Sequence, residues 1–203
     1  MDEPALIQAA CQGDLDSFNH LVLVYQDQVY HQAYRMMGDE AAAADASQEA
    51  FISAFHHIRS YRGGSFRAWL LRIVTNACYD ELRRRQRRPT TPLEPLDDSG
   101  EEIESPRWMV DPQDSPEESL DRSELRQAIE HCLQHLPDDF RAAVLMVDIQ
   151  GMDYTEAAQA LGKPLGTVKS RLARARLRMR DCLKGFWELL PAVFRHDDEN
   201  REM

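Results

Sequence analysis

No stretch of this 203-residue chain holds the about 20 consecutive apolar residues that a membrane-spanning helix needs. Its opening, Met1-Asp-Glu-Pro, lacks the basic start and apolar run of a secretory signal. Both absences predict a soluble, cytoplasmic protein with no membrane insertion. Cysteine is scarce: Cys11, Cys78, Cys132 and Cys182 lie far apart and form no C-x-x-C pair. Neither a zinc site nor a disulfide framework is therefore indicated, and reduced, mostly buried thiols are expected. His131, Cys132 and His135 are close in sequence, but such a cluster is more often incidental than a metal site. No phosphate-cradling glycine loop, metal-ligand spacing or nucleophile motif occurs, so the chain does not read as an enzyme. No catalytic residue, cofactor, metal or small-molecule substrate is expected. Positive charge is also short, with 24 Lys and Arg against 35 Asp and Glu and a net charge of -11. Taken globally, that balance argues against a nucleic-acid binder.

The charge is nevertheless segregated along the chain. Arg67 to Arg88 contains seven arginines against Asp80 and Glu81, and Lys163 to Lys184 holds eight cations against Asp181. Between these blocks, Glu94 to Glu124 contains twelve acids against Arg107 and Arg122, and six prolines fall between Pro89 and Pro116. So little apolar content cannot bury a core, and the segment reads as a flexible linker. The organisation expected is two modules on a string: 1–88, an acidic Pro-rich linker over 89–122, 123–184, and a tail over 185–203. The fold class expected is all-α.

In the second module, Thr155 is placed to N-cap a helix over Glu156–Leu161, and Gly162 supplies the left-handed residue that ends it. Pro164 turns the chain before Thr167, and a second helix starts at Val168. Leu165, Val168, Leu172, Ala175 and Met179 recur at three- and four-residue steps and gather into one buried stripe. The opposite face carries small Ser170 and Ala173, with Leu177, between flanks of Lys169 and Arg176 on one side and Arg171, Arg174 and Arg178 on the other. Small residues let a helix enter a major groove about 12 Å wide while long cations reach the phosphates. This is a helix-turn-helix pattern; the bland alternative, a solvated helix, would mix its signs.

The first module also reads as helical. Leu15, Phe18, Leu21, Val22 and Tyr25 step at helical spacing, and Gly38-Asp39 ends that run. A helix over Ala41–Ile58 puts Phe51, Phe55 and Ile58 on one stripe and exposes Asp45, Gln48 and Glu49. After the Arg62-Gly-Gly-Ser65 turn, Phe66, Trp69, Leu70, Ile73 and Ala77 form the buried stripe of a further helix. Arg72, Asn76, Arg83 and Arg84 lie outside that stripe and can hold phosphates or read base edges. Tyr61 beside Gly63-Gly64 either packs or receives an unstacked base.

Phe66…Trp69-Leu70…Ile73…Asn76…Asp80…Arg83-Arg84, together with Asp45…Gln48-Glu49…Phe51, resembles domain 2 of extracytoplasmic-function sigma factors. Leu136-Pro137…Arg141…Gly151-Met-Asp-Tyr-Thr-Glu-Ala-Ala-Gln-Ala-Leu-Gly through Arg176 resembles domain 4 of the same family. The resemblance covers nearly all of the chain except the acidic linker and the tail after Lys184. It implies a protein that binds core RNA polymerase, directs it to promoter DNA and helps to melt the duplex, in a stress or envelope response. It places Asp45, Gln48, Glu49 and Phe51 on the polymerase clamp. Arg72, Asn76, Arg83 and Arg84 fall at the minus-10 element, with Tyr61 near a flipped base. Arg141, Thr167, Lys169, Ser170, Arg171 and Arg174 fall at the minus-35 element. An anti-sigma factor is the implied inhibitor.

The sequence departs from the family pattern at Ala44, Ala46-Ser47, Phe55 and Ala157. The smaller side chains among these predict thinner packing, each missing buried methylene being worth about 1 kcal/mol. The acidic linker either shields the basic surfaces in the free protein or is a plain tether. The apolar tail, Phe186 to Phe194, follows the last basic helix and either covers the second module as ordinary packing or docks a partner. A stand-alone helix-turn-helix regulator is the alternative, but it requires a dimer or ligand face. The basic helix in the first module favours two DNA contacts from one monomer.

Overall fold

The computed structural model describes residues 2–87 and 116–189, with side chains in the second stretch from 123 onward. Every regular element among the described residues is helical. The first unit comprises α1 (Glu3–Gln12), α2 (Leu15–Met37), α3 (Glu40–His57), a 3₁₀ turn (Ile58–Ser60) and α4 (Phe66–Arg87). The second comprises α5 (Pro116–Gln134), α6 (Asp138–Val144), a π-turn (Leu145–Ile149), α7 (Tyr154–Leu161), α8 (Leu165–Leu183) and a 3₁₀ segment (Lys184–Leu189). Helix α5 begins at Pro116, inside the stretch read as linker. The remainder of that stretch, and the tail beyond Leu189, lie outside the described residues.

Capping explains most boundaries. Asp14 accepts from Ser17 N to start α2, and Asp39 accepts from Ala42 N to start α3. Gly38 between them is left-handed at φ 68° and closes α2 with its N–H on Tyr34 O. Helix α7 is capped by Asp153, not Thr155. The Asp153 carboxylate accepts from Thr155 N and Glu156 N, and Glu156 returns a bond to the cap backbone. The aspartate takes the cap because it sits in extended geometry at φ -68°, ψ 164°, one residue ahead of the first turn. Gly162 ends α7 in the left-handed region, as expected. Helix α8 starts at Leu165 rather than Val168, since Pro164 itself holds the extended cap position.

Burial corrects three stripes. On α4 the buried residues are Phe66, Leu70, Leu71, Val74, Thr75 and Cys78, while Trp69, Ile73 and Ala77 are only partly covered. The stripe is thus turned by about one residue, because α4 is covered by α2, α3 and α7 together. On α3 the inward face is Ala42, Ala43, Ala46, Ser47, Ala50 and Ala54; Phe51 is half-buried and Phe55 is 42% exposed. Methyl-sized groups let helix axes come close, and α3 packs most extensively on α2. Ala46 and Ser47 are therefore contact residues, with the Ser47 hydroxyl donating to Ala43 O at 2.6 Å. Ala157 is likewise fully buried. On α8, Val168, Leu172 and Ala175 are buried as expected, but Leu165 stays exposed at the helix start. Leu15 at the start of α2 is exposed for the same reason.

The two expected helical units also pack on each other. One apolar core runs through both units, joining Met36 and Met37 of α2 to Leu133, Leu136, Leu145 and Met146. Helix α7 rests on α4, and α5 and α6 rest on α2. In place of the reduced thiols expected from the spacing, Cys132 of α5 and Cys182 of α8 form a disulfide with Cα atoms 5.7 Å apart. Their separation of 50 residues hides that pairing in the sequence. Cys11 and Cys78 remain free thiols.

Candidate nucleic-acid and polymerase interfaces

Helix α8 presents Lys169, Ser170, Ala173, Arg174 and Leu177 to solvent, with Thr167 half-buried at its first turn. Ser170 Oγ donates to Thr167 O at 3.0 Å, and Lys169 Nζ sits 5.7 Å from the Tyr154 ring centre. Arg171 is held inward by Asp139 at 2.5 Å, leaving its side chain 21% exposed. Arg176 pairs with Asp148, and the hydrogen bond it donates to that carboxylate pushes the guanidinium's pKa above its ordinary value. The exposed strip of α8 is therefore small at Ser170 and Ala173 and apolar at Leu177, with Lys169 and Arg174 as its exposed cations.

Arg141 stands apart from this group. It is buried, and its guanidinium donates to Leu133 O, Gln134 O, Leu136 O and, across the unit boundary, Met36 O. Burial lowers its pKa, partly opposed by Asp138. In this arrangement Arg141 is a fold residue that satisfies carbonyls at the end of α5, and it does not reach the surface expected for a phosphate contact. A buried guanidinium with several acceptors is fixed by them.

On α4, Arg72 and Asn76 are exposed in the middle of the helix, and Arg83 and Arg84 lie toward its end. Arg83 pairs with Asp80 at 3.2 Å and Arg84 with Glu81 at 2.7 Å, both one turn back on the same helix. Partial burial raises the Glu81 carboxyl, but hydrogen bonds from Arg84 and Arg85 outweigh that and hold it below its usual range.

The loop before α4 is built on Gly63 and Gly64, at φ 91° and 94°, where a Cβ would be strained. Tyr61 Oη donates to Gly64 O at 2.7 Å, and the Tyr61 ring lies edge-on to Phe66 and Trp69 at about 5.5 Å. Tyr61, Gly64, Trp69 and Arg72 line one side of a hollow of about 340 Å³, and Glu156 and Gln159 of α7 line the other. Tyr61 thus both packs and borders a cavity.

Asp45, Gln48 and Glu49 share the outer face of α3, with Phe51 half-buried at its edge. Ile52, 45% exposed, and Phe55 extend that face with apolar surface. The reading of α3 as a buried aromatic stripe concealed them, although Ile52 lies one turn from Gln48. Two interdomain residues also escaped sequence reading, Gln150 and Asp139. Their partners lie 60 to 122 residues away, so no local pattern marks them. The exposed His131 and His135 rings, at the end of α5 and just beyond it, lie tilted to each other with centres 4.2 Å apart, while Cys132 turns inward to its disulfide.

The chain matches the family description "Sigma-70 region 2" over residues 21–88 and "Sigma-70, region 4" over residues 126–179. It is 38% identical to the ECF RNA polymerase sigma factor SigE of Mycolicibacterium smegmatis over 85% of this chain and 63% of that one. It is 35% identical to the RNA polymerase sigma-H factor of Pseudomonas aeruginosa, over 84% of this chain and 88% of the relative. Its fold is like that of the sigma factor RpoE from Bartonella quintana, solved with the anti-sigma factor NepR. That likeness has a TM-score of 0.63 at 24% identity and covers 84% of this chain and 98% of the other. A stand-alone helix-turn-helix regulator would account for the second match only. With both regions matched in order, the chain belongs to the extracytoplasmic-function RNA polymerase sigma factors.

Proposed function

We propose that this protein binds core RNA polymerase in the cytoplasm, carries it to a class of promoters and assists duplex opening, the polymerase supplying all catalysis. The outer face of α3, with Asp45, Gln48, Glu49 and Phe51, docks the polymerase. Arg72, Asn76, Arg83 and Arg84 of α4 meet the minus-10 element, and Tyr61 borders the place of an unstacked base. Thr167, Lys169, Ser170, Arg171 and Arg174 of α8 meet the minus-35 element, and Arg141 joins them only if it leaves its carbonyl partners. The working boundaries are 1–88 for the first unit, 89–122 for the connection, 123–184 for the second unit and 185–203 for the tail. An anti-sigma factor is the expected inhibitor.

The observation that carries this reading is the pairing of two exposed basic helices, α4 and α8, on one monomer of net charge -11. Cations gathered on two faces of an acidic protein bind phosphate locally while the remainder of the surface repels it. The test mixes purified protein with core polymerase lacking any sigma subunit, followed by size-exclusion chromatography and transcription on pooled genomic DNA. Co-elution with new, discrete start sites is the expected result. Failure to co-elute, with dimeric binding to duplex DNA instead, overturns it.

A further inference from the structure

Each flank of α8 meets one carboxylate and one aromatic ring. On one flank Asp139 of α6 pairs with Arg171 at 2.5 Å, and its neighbour Phe140 carries the Arg178 guanidinium 5.2 Å from its ring centre. On the other flank Asp148 of the π-turn pairs with Arg176 at 2.5 Å, and Lys169 Nζ stands 5.7 Å from the ring centre of Tyr154 at the start of α7. In both cases the two cations lie two helical turns apart in the sequence, so one meets the acid and the other meets the ring.

The two kinds of partner leave a cation in different states. A carboxylate cancels the charge and occupies the donors that a phosphate would use, so Arg171 and Arg176 must exchange a partner to meet DNA. An aromatic face attracts a cation without cancelling its charge and leaves its outer donors open. Contact with a ring also narrows the rotamers of a long side chain, which lowers the ordering cost of a later contact. Lys169 and Arg178 are both exposed, and no carboxylate among the described residues pairs with either. The single acid of α8, Asp181, is taken by Arg180 at 2.9 Å. The ring-held cations are also diagonal to each other. At about 100° and 1.5 Å per residue, Lys169 and Arg178 fall on opposite sides of α8 and about 14 Å apart along its axis. The exposed face between them carries Ser170, Ala173, Arg174 and Leu177. A helix seated in a major groove about 12 Å wide has a phosphate wall on each side, and this diagonal offers each wall one uncancelled cation.

We propose that Arg178 is a further phosphate-binding residue of α8, set across the groove from Lys169, and that Phe140 and Tyr154 are positioning residues that hold these two cations extended toward the DNA backbone. Arg178 supplies the flank on which Arg171 is committed to Asp139. This inference rests on the function proposed above, in its assignment of α8 to duplex DNA. Phe140 and Tyr154 act through the cations they carry: removing either ring leaves the charge in place but returns its side chain to a wider set of rotamers.

Titration of the full chain against a short fluorescein-labelled duplex of random sequence, read by anisotropy at stepped potassium chloride, tests the proposal. Arg178→Gln is expected to weaken binding several-fold at low salt and to lower the slope of log affinity against log salt by about 1, and Arg178→Lys is expected to keep the slope. Arg180→Gln, which changes the net charge equally, is expected to leave the slope close to that of the unaltered chain. Phe140→Leu is expected to weaken binding about threefold with the slope kept, and Phe140→Tyr to restore it. Tyr154→Leu is the parallel arm through Lys169, with the same loss expected, and far-ultraviolet circular dichroism checks that each variant is folded. An Arg178→Gln slope that moves no more than that of Arg180→Gln overturns the phosphate contact, and so does an unaltered chain that binds no duplex. Full affinity in folded Phe140→Leu or Tyr154→Leu overturns the positioning role of that ring. Failure of the chain to co-elute with core polymerase counts against the sigma-factor reading alone, since the duplex titration contains no polymerase.

Discussion

On α4, Arg83 and Arg84 reach back to acids one turn away on the same helix; on α8, Arg171 and Arg176 reach to other elements. Arg83 and Arg84 are tied to Asp80 and Glu81, while Arg171 is tied to Asp139 and Arg176 to Asp148. An exposed pair one turn apart contributes about 0.3–0.5 kcal/mol and is easily exchanged for a phosphate. Pairs between elements do more, because they help to set the position of α8 against α6 and the π-turn. The α4 cations are therefore available to a phosphate, whereas α8 commits Arg171 and Arg176 to the fold and leaves Lys169 and Arg174 exposed. Position in the amino-acid chain does not distinguish these two uses; the location of the partnering acid does.

The largest test of this difference removes the staple beneath α8. Cys182→Ser, or reduction by dithiothreitol, opens a loop spanning 50 residues. It should lower the stability of the second unit by about 4 kcal/mol in the chain-entropy picture. Urea denaturation followed by tryptophan and far-ultraviolet signals should show the second unit melting early, and an unchanged midpoint would refute the staple. Arg141→Ala comes next, at about 3 kcal/mol, because it orphans buried carbonyls at the end of α5. That loss must be visible without DNA; an Arg141 variant with full stability and weakened DNA binding would return this residue to the phosphate surface.

Smaller effects separate the two helices directly. Lys169→Ala and Arg174→Ala should each weaken binding to duplex DNA, lowering the slope of log affinity against log salt by about 1, with little sequence dependence. Asp153→Ala should cost about 1 kcal/mol through loss of the α7 cap, and should be read in the second unit alone. The smallest expected effect is a null one. Burial pushes the Cys78 thiol up to about 12, so it stays protonated across physiological pH, and iodoacetamide at pH 8 should leave it unmodified in the native protein. Alkylation of Cys78 at the rate of a free thiol would mean that the core of the first unit opens.

Helical class, the Gly38 and Gly162 stops, the small exposed strip of α8 and the outer face of α3 were legible because each depends on neighbours within a turn or two. The rotated stripe of α4 was not, since α2, α3 and α7 together decide which side is covered. On α3 aromatic size is no sign of burial, because alanine holds the inward positions by permitting close approach to α2. The disulfide, the Asp139 pairings with Tyr79 and Arg171 and the Gln150 contacts were invisible for a common reason: each joins residues at least 32 positions apart, with no spacing rule between them. Arg141 was legible as a notable residue but not as a buried one. A lone arginine carries the same letter whether it meets phosphates or carbonyls.

The alanine face of α3 also bears on how this surface can change over time. Its inward side holds almost nothing but methyl-sized groups, and its outward side bears the carboxylates, the amide and the two apolar side chains of Ile52 and Phe55. Apart from Phe55, whose ring packs edge-on against Phe18 of α2 at 5.2 Å, substitutions on the outside therefore leave the packing against α2 untouched, and substitutions on the inside have almost no larger residue to move to. The helix is a hinge-free plank, fixed on one side by steric necessity, whose other side can be rewritten residue by residue to suit a partner.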